Sequence, residues 1–249
     1  MSIPIDLLLL TATVSPRQDQ PNLAVVSAVE RLDEYRKALA HYTQLLDNGV
    51  IRGIIFAENS GYDLAELAAV YPSPGIEWLS IDPAPHAAEF HRGYAEFKLI
   101  DSALARSAFW QRTNSNIRIW KVSGRYIVRN LGSVIRWAPQ RFDLYASIGR
   151  EWFEMSIVAW NLHAHQQLMQ GVWQHFATAE APERVLCRLL EDPGAQSLRV
   201  VRSFTWPPII QGRRGTDGSP FQGRRTRYRF MLMAVGKLVC LPWRRIIGA

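Results

Sequence analysis

The sequence predicts an α/β fold with a mostly parallel central sheet and helices on both of its faces. Three observations lead there. Short apolar runs recur at Ile5–Leu10, Val50–Phe56 and Ile76–Ile81. Segments of helical spacing separate them, and Gly, Pro and Asn mark the junctions. Strand, helix, strand in short alternation is the pattern of parallel strands joined by helical crossovers.

The run Ile5–Leu10 suits a central strand covered on both faces, and Thr11-Ala-Thr followed by Ser15-Pro16 ends it. Leu23–Leu46 repeats apolar residues at helical spacing through Val29, Leu32, Leu39, Tyr42 and Leu45, and Asn48-Gly49 closes it. A second strand, Val50–Phe56, leads into the loop Glu58–Asp63. A short helix over Leu64–Tyr71 is broken by Pro72-Ser-Pro-Gly75, and Ile76–Ile81 is a third strand. Gly93–Ala108 reads as a helix, and Asn116–Lys121 and Tyr126–Val128 read as strands around Ser123-Gly124. Beyond these, Phe142–Ile148 and Leu198–Phe204 are expected as strands, Trp152–Ala177 and Pro182–Leu190 as helical, and Pro207–Gly223 as a loop.

Charge divides the chain. Its 249 residues carry 29 Lys and Arg against 22 Asp and Glu, a formal +7. Nine of the basic residues lie from Arg213 onward, with Asp217 as the sole acid there. That end therefore carries +8 and residues 1–212 carry −1, so we expect a body at 1–212 and a basic extension at 213–249. The split points to a polyanionic partner for the extension. An apolar content of 48% with 20% charged residues excludes disorder. Cys187 and Cys240 suit neither a disulfide framework nor a clustered zinc site. His163 and His165 have no neighbouring Cys or His to complete a ligand set, so no metal site is assigned. The apolar start is too short to span a bilayer and lacks a basic leader segment, so a cytoplasmic location is expected.

Open α/β sheets bind ligands in loops at the carboxyl ends of their strands. Here those loops are Thr11-Ala-Thr, Glu58-Asn-Ser-Gly and Lys121-Val-Ser-Gly-Arg125. Neither a G-x-G-x-x-G nor a G-x-x-x-x-G-K-[ST] segment is present, and there is no Gly-x-Ser-x-Gly elbow. A nucleotide site without those devices must neutralise a diphosphate by other means. Many sugar-nucleotide enzymes use an Asp-x-Asp pair to hold a divalent cation, and this sequence has none. A divalent metal stays possible, but without an Asp-x-Asp pair Lys121 and Arg125 are expected to take over that charge, with Gly124 letting backbone approach closely. The same segment also reads as a tight hairpin with exposed basic residues.

Five segments in order resemble a family of bacterial glycosyltransferase-like proteins found among surface-polysaccharide genes. They are Leu8-Leu-Leu-Thr-Ala-Thr13, Arg31-Leu-Asp-Glu-Tyr35, Phe56-Ala-Glu-Asn-Ser-Gly61, Arg92-Gly-Tyr-Ala-Glu96 and Trp120-Lys-Val-Ser-Gly-Arg-Tyr126. The last is similar to a Phe-Lys-Ile-Thr-Gly-Arg-Tyr signature and is the most specific. Gly215-Thr-Asp-Gly-Ser219 is a weaker sixth match. Ala95 stands where the family pattern has Gly, and residues 138–205 carry no alignable motif. The resemblance implies a GT-A-like, Rossmann-type sheet and transfer of a sugar from a nucleotide-sugar donor to a glycan or lipid-linked acceptor. It implies donor contacts from Thr11, Arg31, Glu58, Asn59, Ser60, Glu96, Lys121, Gly124 and Arg125. Local roles compete at several of these. Asn59, Ser60 and Gly61 suit a turn, Arg31 shares a helix face with Tyr35, and Glu96 suits a helix start. A base for the acceptor hydroxyl is expected at Asp143, Glu151 or Glu154.

The C-terminal extension alternates arginines with an apolar stretch from Phe230 to Leu241 that is too short to cross a membrane. It suits an interfacial helix, with Arg224, Arg225, Arg227, Arg229, Arg244 and Arg245 on anionic lipid and Trp243 at headgroup level. The expected location is the inner face of the cytoplasmic membrane, attached peripherally. No nucleic acid is expected as partner, because the arginines accompany no recognition helix or aromatic strand motif. A catalytically silent membrane-associated module of the same fold is the alternative reading.

Overall fold

The computed structural model describes residues 4–17, 25–83, 86–87, 89–112, 116–214 and 218–220. The extension residues Arg224, Arg225, Arg227, Arg229, Trp243, Arg244 and Arg245 lie outside the described residues. The chain folds as expected into a mixed α/β architecture, a mostly parallel seven-stranded sheet flanked by helices.

The first half alternates regularly. β1 (Ile5–Ala12), β2 (Gly53–Glu58), β3 (Ile76–Ser80) and β4 (Ile117–Ser123) are joined by α1 (Ala28–Asp47), α2 (Ala65–Val70), and α3 (Gly93–Arg106) with α4 (Ala108–Gln111). All four strands are parallel, in the order β3-β2-β1-β4. β1 is buried from Asp6 to Ala12. Leu8 and Leu10 join one core with Tyr35, Leu39 and Tyr42 of α1; Leu7 and Leu9 join the other with Phe97, Ile100 and Leu104 of α3. The apolar run in the sequence therefore reports two covered faces. Ser27 caps α1 by accepting from the Glu30 amide. At the foot of the sheet the Asp6 carboxylate accepts from Arg118 Nε and Nη2 and from Trp120 Nε1, each at 2.7 Å, which clamps β1 to β4.

The second half departs from expectation. β6 (Leu144–Ile148) forms where a strand was expected, and α7 (Pro182–Leu189) where a helix was expected. Trp152–Ala177, however, is not one helical stretch. It opens with β7 (Phe153–Asn161), the one strand of the seven-stranded sheet that runs antiparallel to its neighbours, inserted between β4 and β6. Phe153, Met155, Ile157, Val158, Ala159 and Trp160 are all buried because both faces of β7 are covered. Such a strand loses its period of two and resembles a buried helix in sequence. Asn161 ends it and caps α6 (Leu162–Ala164) by accepting from the Ala164 amide. Short helical turns at His165–Met169 and Val172–Phe176 follow. β8 (Val200–Val201) closes the order β3-β2-β1-β4-β7-β6-β8 and is shorter than the expected strand. The expected strand at Tyr126–Val128 is β5 (Ile127–Val128), which leaves the main sheet and pairs with β9 (Ile210–Gln211) from within the expected loop. α5 (Leu131–Arg136) follows β5.

Candidate functional site

Strands β1, β2 and β3 proceed to one side of β1, whereas β4 lies on the other. Their connections therefore diverge at the carboxyl ends of β1 and β4, which is the topological switch point where open sheets take ligands. A cavity of about 240 Å³ lies there. Thr11, Thr13, Asn59, Ser60, Ser123 and Gly124 contribute strand-end loops, and Arg92, Glu96 and Lys98 contribute the start of α3. Arg17, Arg31, Arg92, Lys98 and Arg125 set five cations in the lining against Asp82 and Glu96, a balance that favours an anion.

The Glu58-Asn-Ser-Gly loop is held both by bonds within itself and by bonds across to the exit of β1. Glu58 is fully buried, and its carboxylate accepts from the amides of Val14 at 3.0 Å, Ser60 at 2.9 Å and Tyr62 at 3.2 Å, and from the Ser60 hydroxyl. Thr13 Oγ1 donates to Asn59 Oδ1 at 2.6 Å, and the Ser15 amide donates to Ser60 Oγ at 2.9 Å. The loop thus fixes the exit of β1. Gly61 supplies the positive φ of 77° that turns it away toward α2. Arg31 is buried and donates to the carbonyls of Thr13 and Val25. Tyr35 Oη accepts from the Thr13 amide at 2.8 Å. Arg125 pairs with Glu34 of α1 at 2.6 Å, and Arg213 pairs with the same carboxylate at 3.0 Å. A Cβ at Gly124 would meet the Thr11 carbonyl at 2.8 Å, so the absence of a side chain there lets β1 and β4 exit side by side.

Below this floor lies a buried ion pair. Lys121 is 1% exposed, and its Nζ sits 2.7 Å from Glu96 Oε1 and donates to the Met155 carbonyl at 3.0 Å. Thr11 Oγ1 donates to the same Glu96 oxygen at 2.8 Å, and Ser123 Oγ at 3.3 Å. Burial raises the Glu96 pKa, but the Lys121 ammonium and the donated hydrogen bonds outweigh it and hold the carboxyl below its ordinary value. Arg92 differs from the other arginines of the cavity, since Arg17, Arg31 and Arg125 are each hydrogen-bonded. Its guanidinium makes no hydrogen bond or ion pair among the described residues, and it lines both this cavity and a smaller one beside it.

The smaller cavity, about 70 Å³, is bounded by His91, Arg92, Glu96, Lys121, Glu154 and Glu183, and shares Ser123 and Tyr126 with the larger. Of the residues predicted to hold a donor, Thr11, Arg31, Asn59, Ser60, Glu96, Gly124 and Arg125 line the larger cavity. Glu58 lies behind it as the loop's anchor, and Lys121 faces the smaller one. The three predicted bases separate. Glu154 lines the smaller cavity. Glu151 is exposed in the turn between β6 and β7 and lines neither cavity. Asp143 precedes β6 at the far end of the sheet, where its carboxylate accepts from Asn161 Nδ2 and the Arg199 amide. Its place at the foot of β6 follows from the antiparallel insertion of β7, which the sequence reading lacked. Thr13, Arg17, Asp82, His86, Arg92, Lys98 and Glu183 were not singled out. They sit on loops and helix starts, where polar residues carry no periodic signal. Among the described residues no group of three or more His, Cys, Asp or Glu is arranged to hold a metal ion.

No family model matches the chain, and no curated protein sequence matches it. Solved structures of similar architecture include a protein assigned as a nucleotide-diphospho-sugar transferase from Desulfovibrio desulfuricans G20. It shares 12% identity over 79% of this chain and 78% of that one, with a TM-score of 0.48. The inositol-1-phosphate CTP transferase from T. maritima shares 12% identity over 81% and 85%, TM-score 0.42. HddC from Yersinia pseudotuberculosis shares 9% over 83% and 92%, TM-score 0.35. These are likenesses of architecture and say nothing about chemistry.

Proposed function

We propose that the chain is a glycosyltransferase that moves a sugar from a nucleotide-sugar donor to a glycan or lipid-linked acceptor in bacterial surface-polysaccharide synthesis. The observation that carries this reading is the cation-rich cavity at the switch point between β1 and β4. The resemblance of its loops to the glycosyltransferase-like family supports the same assignment. In this reading Thr11, Asn59 and Ser60 face the base and ribose, and Arg31 and Arg125 brace the loops around them. Arg92 and Lys98 meet the diphosphate in place of an Asp-x-Asp-bound metal. Arg92 is the natural phosphate ligand because its guanidinium is in no ion pair among the described residues and lines the cavity.

Calorimetric titration with UDP-, GDP-, CMP- and dTDP-linked sugars, with and without Mn²⁺, tests this. One donor class is expected to bind without added metal. Arg92→Ala is expected to weaken it about 10- to 100-fold, the worth of one charge-assisted contact of about 1.5–3 kcal/mol. A folded protein that binds none of the donors would overturn the reading. Binding without turnover on any acceptor would instead favour the catalytically silent module.

We further place the protein peripherally on the inner face of the cytoplasmic membrane, through the basic extension. Among the described residues no helix is long and apolar enough to cross a membrane. Each basic residue near an anionic surface adds about 1 kcal/mol. Replacing Arg224, Arg225, Arg227 and Arg229 with Glu is therefore expected to abolish flotation with phosphatidylserine-containing liposomes. Unchanged flotation would sink the membrane assignment.

A further inference from the structure

The smaller cavity holds three carboxylates in unlike surroundings. Glu96 is engaged by Lys121, Thr11 and Ser123. Glu154 accepts from the Ser156 amide at 3.0 Å and from the Ser156 hydroxyl. Each has an oxygen already committed to donors from other residues. Glu183, in the first turn of α7, has no such donor among the described residues and bonds to its own backbone amide. Gly93, at the start of α3, is packed against Pro182, and a Cβ there would lie 2.4 Å from the proline ring. That contact seats the first turn of α7 against the start of α3, where Arg92 joins the two cavities.

From this geometry we infer that Glu183 is the catalytic residue that takes the acceptor's proton, and that the smaller cavity admits the reacting hydroxyl. The inference rests on the glycosyl-transfer reading above. A space of about 70 Å³ holds a hydroxyl with its adjoining carbons, not a whole sugar. The rest of the acceptor then lies outside, and the donor's anomeric carbon approaches through the opening that Arg92, Glu96, Ser123 and Tyr126 share. In the step, the acceptor oxygen forms a bond to the anomeric carbon while the bond from that carbon to the phosphate oxygen breaks. The diphosphate leaves with the electron pair, toward Arg92, and the hydroxyl proton passes to Glu183.

The electrostatics agree with the assignment. Burial raises the Glu183 pKa, and the Glu154 and Glu96 carboxylates add to the rise while Arg92 opposes it. In the same cavity Glu96 is held low. Carboxyl groups driven apart in this way divide acid–base work between them, and the raised one is the better base near neutral pH. The other titratable groups lining the cavity, besides Arg92, are Lys121, His91 and Tyr126. Burial lowers the His91 pKa, Arg92 lowers it further, and its Nδ1 accepts from the Gly93 amide at 3.1 Å. The Nδ1 lone pair of His91 is thus engaged by the Gly93 amide and is not free to take the acceptor's proton.

The test uses the full chain with the donor that binds in calorimetry, reading release of nucleoside diphosphate with water as acceptor. Glu183→Gln is expected to bind donor within about twofold of wild type and to slow release by about 10²–10⁴-fold, losing the acidic limb of the pH profile. Glu183→Asp should recover part of the rate. If Glu183→Gln fails to fold, Glu183→Asp decides by itself, through a shifted acidic limb. Donor binding with an unaltered rate and pH profile in the Glu183 variants would overturn this inference alone. Absence of donor binding by the wild type would overturn the transfer reading and this inference with it.

Discussion

Lys121→Met is expected to lower the folding stability by about 3–5 kcal/mol, read as a fall in the urea midpoint at unchanged slope. The ammonium is 1% exposed and lies among Glu96, the Met155 carbonyl and the Phe97 ring. Methionine keeps the volume and apolar contacts of the stem but leaves Glu96 with only the Thr11 and Ser123 hydroxyls. The Glu96 side chain is 27% exposed on its cavity side, so water or a proton can partly compensate, and the lower end of the range is expected. The pair also has a pH signature. Because the folded Glu96 pKa is depressed, its stabilisation is present above the unfolded carboxyl pKa and is lost as pH falls through the folded value. Lys121→Met should remove that loss on acidification. The double variant Lys121→Met with Glu96→Gln should be more stable than the single one, since removing both charges avoids burying one unpaired. A single variant within about 1 kcal/mol of wild type would show that the pair is not an essential part of this wall.

Lys121 also shows how far the sequence could be read. The segment Ile119-Trp-Lys-Val122 is recognisable as a strand, and the approach of its end to a site is legible from the α/β pattern. What is not legible is that Lys121 faces Glu96, because that contact needs β4 beside β1 with the start of α3 brought back over their ends. The same holds at Glu58. Its loop stands out in sequence, whereas its partner, the Val14 amide, belongs to another strand's exit. Where an element's two faces meet two different cores, as in β1, the apolar run alone locates it. In β7 the same double burial conceals the strand, because a run lengthened by the following helical turns mimics a helix. Glu183 was passed over because an acid beside Pro182 is what any helix start attracts. Its distinction is the lack of an outside donor, a property of packing.

Acidification from pH 7 to pH 4 is expected to cost the folded state about 3 kcal/mol through His165 alone. His165 lies in the helical turn that follows α6, 7% exposed, with its ring edge-on to Trp110 at 5.4 Å. Its Nδ1 is buried without a hydrogen-bond partner among the described residues, and burial pushes its pKa from 6.5 down to about 4. The unfolded chain therefore binds the proton more readily than the folded one between those two values. Stability rises with pH across that window and is lost as pH falls through it, and the displacement corresponds to about 3 kcal/mol. Other groups titrate nearby: Asp101 has a raised pKa, chiefly from burial, and works in the opposite sense to Glu96. A difference measurement separates them. Urea midpoints of wild type and His165→Phe, taken from pH 7 to pH 4, share every other titration, so their difference isolates the imidazole. The variant is expected to lose less stability over that interval, by about 3 kcal/mol, and to show the flattest difference above pH 6.5. Parallel curves for the two proteins would mean that His165 accepts its proton in the folded state at little cost, and that the buried ring is not the source of acid lability.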